Sequence, residues 1–134
     1  MVKKGSYILL IELNQPQRIR IGKKRSYDFS QGFYVYVGSA LNGIEQRIQR
    51  HLRKEKKIHW HIDYLLQHAH ILDIYYKKSE LREECTIAQS FHQQVSSIAD
   101  FGCSDCSCTS HLFHGSKEQL LEIINNLDLK KANL

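Results

Sequence analysis

Two apolar runs in the first third of the chain constrain the fold most strongly. Tyr7–Leu13 is rich in branched residues and predicts a strand buried on most of both faces, and Gly32–Gly38 predicts another strand of strong β propensity. Between them, Arg18–Ile21 alternates polar and apolar residues and predicts a shorter strand, which we expect to form an antiparallel hairpin with the first. We expect Lys23–Gln31 to be a polar connection. These segments predict a small antiparallel sheet of three or more strands.

Helical periodicity dominates the rest of the chain. Ile44, Ile48 and Leu52 recur every four residues and predict a helix from a cap at Asn42 to about Lys54. The further elements we expect are a helix around Ile58–Leu66, a strand at Ile71–Tyr76, a helix over Ser79–Ser96 and a last helix opened by the capping box Ser116-x-x-Gln119. The sequence therefore predicts an α+β fold, in which helices flank the small antiparallel sheet, and a single domain over residues 1–134.

The composition predicts a globular domain without a membrane span. The chain has 134 residues, of which 42% are hydrophobic, enough to bury a core without metal or disulfide links. Its apolar runs fall well short of the roughly 18 residues that a membrane helix needs. The charged N-terminus is not followed by a long apolar segment, so we expect no secretory signal, no membrane partner and a cytoplasmic location.

The charge balance indicates an anionic partner. Nineteen Lys and Arg residues exceed fourteen Asp and Glu residues, and much of the excess is concentrated in one segment, which holds Arg47, Arg50, His51, Arg53, Lys54, Lys56 and Lys57. On a helical wheel, Arg47 and His51 lie at the rim of the apolar stripe, where a guanidinium can hold a phosphate in a cleft against the sheet. A solvated basic face is the alternative, and both interpretations stay open here.

One carboxylate lies where an apolar residue is expected. In the predicted third helix, Glu84 falls within the core-facing stripe of Leu81, Cys85, Ala88, Phe91 and Val95, whereas Glu83 falls outside it. A buried carboxylate has to be paired, hydrogen-bonded or bound to a metal, because burying it alone is costly. A salt bridge with an arginine such as Arg47 and a hard-cation site are the two interpretations. Under both interpretations the carboxylate involved is that of Glu84 rather than that of Glu83.

A cysteine-rich segment near the C-terminus offers possible zinc ligands. Cys103, Cys106, Cys108 and His111, with His114 beyond them, have the residue types and part of the spacing of a zinc site. The fourth cysteine, Cys85, belongs to the predicted third helix, and the chain has no second knuckle. A loop of reduced, partly buried thiols is the other interpretation, and it fits a cytoplasmic protein.

The order and spacing of these residues resemble the GIY-YIG nucleases. The first motif of that family is similar to Gly5-Ser6-Tyr7, with serine in place of the usual isoleucine, and the second is similar to Tyr36-Val37-Gly38. The family's helix arginine matches Arg47, and its metal-binding glutamate matches Glu84. Longer segments, residues 34–40, 59–65 and 104–112, look typical of the small stand-alone Uri-type endonucleases. The resemblance covers the chain from Gly5 to about Phe113.

The resemblance implies metal-dependent hydrolysis of phosphodiester bonds in DNA, which could be duplex, branched or damaged. Glu84 would hold Mg²⁺ or Mn²⁺ and Arg47 would bind the scissile phosphate. Tyr7 would deprotonate the attacking water, Tyr36 would help to position it, and His51 or His59 would relay the proton. A phenol is a poor base at neutral pH unless a nearby cation lowers its pKa. The residues expected to contact nucleic acid are Gly38, Ser39, Arg50, Arg53 and Lys54.

Two other functions fit parts of the sequence. The basic helix would equally serve a non-catalytic nucleic-acid-binding module. The cysteine-rich segment would serve a zinc-stabilised interaction domain, and a structural zinc is compatible with a nuclease site elsewhere in the chain. The substrate's structure, the oligomeric state and the pathway are not indicated by the sequence.

Overall fold

A six-stranded antiparallel sheet forms the centre of the molecule in a computed structural model, which describes residues 4–21, 25–40, 43–53, 61–78, 83–98, 101 and 110–132. The elements in chain order are β1 (Gly5–Leu13), β2 (Gln17–Ile21), β3 (Arg25–Phe29), β4 (Gly32–Ala40), α1 (Ile44–Leu52), α2 (His61–Leu66), β5 (His70–Lys78), α3 (Glu84–His92), β6 (Ser96–Ser97), β7 (Leu112–Gly115), α4 (Lys117–Asn126) and β8 (Lys130–Lys131). The strand order in the main sheet is β6-β7-β4-β1-β5-β8, and β2 and β3 form a separate pair. The predicted α+β class is confirmed.

The predicted hairpin between the first two strands is wrong. β1 pairs with β4 along one edge and with β5 along the other. β2 instead pairs with β3, a strand inside the segment 23–31 that we expected to be a connection. The reason lies in the side chains. The apolar run of β1 suits a central strand buried on both faces. In β2 and in residues 26–29 of β3, exposed polar residues instead alternate with buried or half-buried ones, as in a sheet with one solvated face.

Two cores lie on opposite faces of the main sheet, because successive strand residues point to opposite sides. On one face, Tyr7, Leu9 and Ile11 of β1 pack with residues of α1, α2 and the small sheet. On the other face, Ile8 and Leu10 pack with residues of α3 and α4. We call these the α1 face and the α3 face.

The four predicted helices are present, and α1 and α3 end earlier than expected. α1 begins after Gly43 and ends at Leu52, and Leu52 is 38% exposed, so its predicted place in the apolar stripe is wrong. Leu52 is the last residue of the helix. α3 covers Glu84–His92 of the predicted range, and a strand follows at Ser96. None of the helices in the described ranges is long and apolar enough to cross a membrane.

The capping box of the last helix is confirmed. The Ser116 hydroxyl accepts a hydrogen bond from the backbone N–H of Gln119, and the Gln119 side-chain oxygen accepts one from the backbone N–H of Ser116. Local sequence was sufficient to predict this feature, because both partners lie within one helical turn.

Candidate functional site

The glycines of the two motifs lie where the backbone or a ring approaches too closely for any side chain. Gly38 is directly opposite Tyr7 in the β1–β4 pair, and a Cβ atom at Gly38 would overlap the Cζ and Oη atoms of the Tyr7 side chain. A Cβ atom at Gly5 would overlap the backbone carbonyl oxygen of Lys77 in β5. Gly38 thus leaves the space that the Tyr7 ring occupies. It was predicted to contact nucleic acid, but it lies buried beneath that ring.

Three rings from distant parts of the chain meet on the α1 face. The Oη atom of Tyr7 and the Nε2 atom of His51 are 2.7 Å apart and hydrogen-bonded. The ring centroid of Tyr36 lies 6.4 Å from that of Tyr7 and 6.3 Å from that of His51. All three side chains are buried. We call Tyr7, Tyr36 and His51 the tyrosine–histidine cluster; the structure therefore brings together three of the predicted catalytic residues.

Arg47 borders this cluster. It is half-buried one helical turn before His51, and its Nη1 atom donates a hydrogen bond to the backbone carbonyl of Ser39 at 3.2 Å. The Arg47 charge lowers the pKa of both Tyr7 and Tyr36, and a side-chain hydrogen bond from Arg47 lowers that of Tyr7 further. The predicted cationic partner of the phenol is therefore close to it.

Burial nevertheless dominates the acidity of both tyrosines. Removal from water raises the pKa of Tyr7 well above its ordinary value, and the neighbouring Tyr36 adds to the increase. Burial raises the pKa of Tyr36 as well. The cause is that an ionised phenolate loses more solvation than a neutral phenol when it is buried. At neutral pH, Tyr7 is therefore a neutral phenol that shares a hydrogen bond with His51.

Tyr34 on the same face provides a direct check of this acidity. Its Oη donates a hydrogen bond to the carbonyl of Ser30 at 2.6 Å, and burial raises its pKa to about 12. We expect a late-ionising fraction that includes Tyr7, Tyr34 and Tyr36 when tyrosinate absorbance is followed during alkaline titration. The unfolded chain releases these protons near pH 10. The free energy of unfolding should therefore be undiminished below about pH 10 and fall as the pH rises towards about 12.

Tyr34→Phe is the control for this titration, because it should remove one group from the late-ionising fraction. A tyrosinate titration without a fraction that ionises late, while circular dichroism still shows the native fold, would contradict the assignment.

Arg50 is held by a carboxylate that sequence reasoning missed. Its two terminal nitrogens donate hydrogen bonds of 2.9 and 2.8 Å to the two carboxylate oxygens of Asp63 in α2. The Asp63 side chain is fully buried and that of Arg50 is 22% exposed. On the helical wheel of α2, Asp63 lies about 60° outside the stripe of Ile62, Leu65 and Leu66, so the periodicity gives no sign of its burial. Contact of Arg50 with nucleic acid stays a prediction.

Glu84 is buried, as its position on the helical wheel predicted. It is the first residue of α3 and only 4% exposed, whereas Glu83 is half-buried and forms an ion pair with Lys77 at 3.3 Å. The Glu84 charge also raises the pKa of His111, which burial lowers by a larger amount. The predicted burial of Glu84 is confirmed, and its role stays a prediction.

Glu84 and the tyrosine–histidine cluster lie at the same end of the sheet. Lys77, which binds Glu83, is opposite Ser6 in β5, and Ser6 precedes Tyr7. α3 packs on the face of the sheet opposite to the cluster. Glu84 and Tyr7 therefore lie on opposite faces at the same end of the sheet.

The residues at this end fit a hydrated divalent cation. A buried carboxylate is a hard oxygen ligand, and Mg²⁺ needs only one or two of these because it keeps several water ligands. The Oγ atoms of Ser6 and Ser39 are buried here, and neither finds a hydrogen-bond partner among the residues that the structure describes. Within the described ranges, no group of three or more His, Cys, Asp and Glu residues could hold a metal.

The remaining predicted residues are placed only in part. His59, Lys54, Cys103, Cys106 and Cys108 lie outside the described residues. Arg53 is exposed at the C-terminal cap of α1. His111 is buried, its backbone N–H donates to the carbonyl of Phe101, and its own carbonyl accepts from Val37. Of the four predicted zinc ligands, only His111 lies among the described residues.

The fold and the site define the class of protein. Two tyrosines carried by neighbouring antiparallel strands meet beside the arginine of the first helix, and a buried glutamate begins a later helix at the same end of the sheet. This is a GIY-YIG-like α+β domain. The chain belongs to the family described as the domain of unknown function DUF123, whose sequence profile matches residues 6–132. DUF123 is a GIY-YIG-like family. Searches of curated proteins and of solved structures found no match.

Proposed function

We propose that this chain is a metal-dependent endonuclease of the Uri type, which hydrolyses phosphodiester bonds in DNA. The observation that carries the proposal is the hydrogen bond between Tyr7 and His51, next to Tyr36 and the Arg47 guanidinium. A buried phenol bonded to an imidazole and bordered by a cation is an arrangement suited to moving a proton beside a phosphate.

Arg47 is the residue that we assign to the scissile phosphate. Its guanidinium is half-buried and directed to the end of β4, where it donates to the carbonyl of Ser39. A guanidinium held in this way is placed before the substrate arrives, so that it stabilises negative charge developing on the phosphate without reorganising first. Its attraction for the anion also orients the phosphate above Tyr7.

The raised pKa of Tyr7 indicates how the proton moves. A free phenolate is disfavoured in this buried position, so the phenol passes its proton to Nε2 of His51 while its oxygen accepts the proton of the attacking water. The hydroxide that forms attacks phosphorus, and the P–O bond to the leaving oxygen breaks. Charge is then held on the imidazolium rather than on a buried phenolate. Tyr36 borders both rings and helps to exclude bulk water from the transfer.

Glu84 would hold the divalent cation, Mg²⁺ or Mn²⁺. When bound, such a cation neutralises charge on the phosphate and stabilises the leaving oxygen. DNA is the polyanion that suits the formal net charge of +5, and Arg53 and Lys54 extend the basic segment beyond α1.

Cleavage of supercoiled plasmid and of branched DNA, with Mg²⁺ or Mn²⁺ and with EDTA, tests the proposal. We expect cleavage only with metal, and a decrease of at least about 100-fold in Glu84→Gln, Arg47→Ala and Tyr7→Phe. The matched controls are Glu83→Gln, Arg18→Ala and Tyr75→Phe, which change a neighbouring carboxylate, an exposed arginine of β2 and a tyrosine outside the site. We expect each control to cleave within a few-fold of the wild type.

Three other outcomes would contradict the proposal. Cleavage that survives Glu84→Gln would reveal a contaminant or another metal ligand. Salt-sensitive DNA binding without cleavage under any divalent cation would favour the non-catalytic binding module. Stoichiometric zinc in the purified protein, with unfolding on chelation and no cleavage, would favour the zinc-stabilised interaction domain.

A further inference from the structure

A row of three polar residues crosses the end of the sheet on the α3 face. Ser6 of β1 lies directly opposite Ser39 of β4 on one side and opposite Lys77 of β5 on the other. Residues opposite each other in antiparallel strands project to the same face. Because side chains alternate along β1, Ser6 shares its face with Ile8 and Leu10, which belong to the core of the α3 face.

The two hydroxyls of this row are not explained by packing. Ser6 is 1% exposed, and the Oγ atoms of both Ser6 and Ser39 are buried without a hydrogen-bond partner in the part of the chain that the structure describes. A buried hydroxyl in this state costs folding free energy. Such a group commonly indicates a bound water, an ion or a catalytic role.

The start of α3 brings a carboxylate to the same place. The Nζ atom of Lys77, at one end of the row, binds Oε1 of Glu83 at 3.3 Å. The next residue, Glu84, is the buried first residue of α3, whose Ile87 and Ala88 pack into the core of the α3 face. One buried carboxylate and two buried hydroxyls therefore lie on one face at one end of the sheet.

We propose that the hydroxyls of Ser6 and Ser39 hold water ligands of a hydrated divalent cation on Glu84. The water ligands of Mg²⁺ or Mn²⁺ are hydrogen-bond donors, and a serine oxygen accepts from them. Ser6 and Ser39 then act as metal-positioning residues, which fix the orientation of the hydrated ion without ligating it. The role differs from the DNA contact predicted for Ser39, and it rests on the proposed function only through Glu84 as the metal ligand.

Mn²⁺ binding to the whole protein without DNA tests this inference. The loss of the Mn²⁺ electron paramagnetic resonance signal on binding gives the affinity. We expect Ser6→Ala and Ser39→Ala each to weaken Mn²⁺ binding about tenfold, because removal of outer-shell partners has effects of that order. Ser39→Thr, which keeps the hydroxyl, should bind Mn²⁺ nearly as tightly as the wild type. Ser26→Ala, an exposed serine of β3, is the control and should bind unchanged.

Urea unfolding in EDTA distinguishes positioning of the metal from a purely structural role. If the hydroxyls serve the hydrated ion, Ser6→Ala will be as stable as the wild type, or more stable, when metal is absent. If Ser6 and Ser39 bond only to each other, Ser6→Ala will be less stable in EDTA and Mn²⁺ affinity will not change. The second result would overturn the inference.

The same series separates this inference from the proposed function. Loss of Mn²⁺ binding in Glu84→Gln, with unchanged binding in the Ser6→Ala/Ser39→Ala double variant, would overturn the inference alone. Wild-type affinity in Glu84→Gln, or an absence of Mn²⁺ binding to the wild type, would overturn both.

Discussion

Asp63→Ala is expected to lower the free energy of unfolding by about 3 kcal/mol, the lower end of the range for removing one partner of a buried ion pair. The Asp63 side chain is fully buried and binds both terminal nitrogens of Arg50, at 2.8 and 2.9 Å. Its removal leaves the guanidinium partly buried without its carboxylate. The lower end applies because the Arg50 side chain is 22% exposed and can turn partly to water. Urea unfolding followed by circular dichroism measures the change.

The matched control is Asp73→Ala. Asp73 pairs with Lys131 at 3.3 Å, but the two side chains are 30% and 61% exposed. Exposed pairs contribute little, so this variant should lose less than about 1 kcal/mol. Equal losses of unfolding free energy in the two variants would show that the buried pair stabilises the fold no more than the exposed one. The Arg50–Asp63 pair would then not be a stabilising link between α1 and α2.

Gly38→Ala is expected to cost about 3 kcal/mol of unfolding free energy and to break the hydrogen bond between Tyr7 and His51. The new methyl group would overlap the Tyr7 ring, which is 1% exposed and packed on all sides. Overpacking of a filled core usually costs about 1–3 kcal/mol, and the upper end applies because the contact is with a rigid ring in a close-packed interior. Urea unfolding gives the loss of stability, and alkaline titration of tyrosinate absorbance shows the displacement as an earlier ionisation of Tyr7.

Gly115→Ala is the control for this substitution. A Cβ atom there would lie 3.0 Å from Cγ1 of Val95 and 3.3 Å from Oε1 of Gln119, which are side-chain atoms that can move by a few tenths of an ångström. We expect its loss to be about 1 kcal/mol or less. If Gly38→Ala lowers the free energy of unfolding by no more than Gly115→Ala does, the conclusion that Gly38 leaves space for the Tyr7 ring is wrong.

The features predicted correctly from sequence are those whose causes are local. The capping box depends on two residues within one turn, and the burial of Glu84 follows from its position in a helical stripe. The strands around Tyr7 and Tyr36 follow from β propensity and apolar composition. In each case the residues that determine the outcome are neighbours in the chain.

The errors arose where a strand or an ion had to find a distant partner. The β1–β2 hairpin was predicted because the two segments are adjacent, but β1 gains more by pairing with β4 and β5 on its two edges. The ion pair between Arg50 and Asp63 was not predicted, because Asp63 lies thirteen residues away and carries no local sign that it will be the partner. The phenol–imidazole bond joins residues 44 positions apart.

The sequence by itself determined the α+β class of this protein, the strands β1, β2, β4 and β5, its four helices and the burial of Glu84. The tertiary structure alone decided which strands pair, that Tyr7 bonds to His51, and that Ser6, Ser39 and Lys77 form one row across three strands. The physical reason is that propensity and periodicity act over one turn or one strand. Pairing and burial instead depend on which distant segments exclude water together.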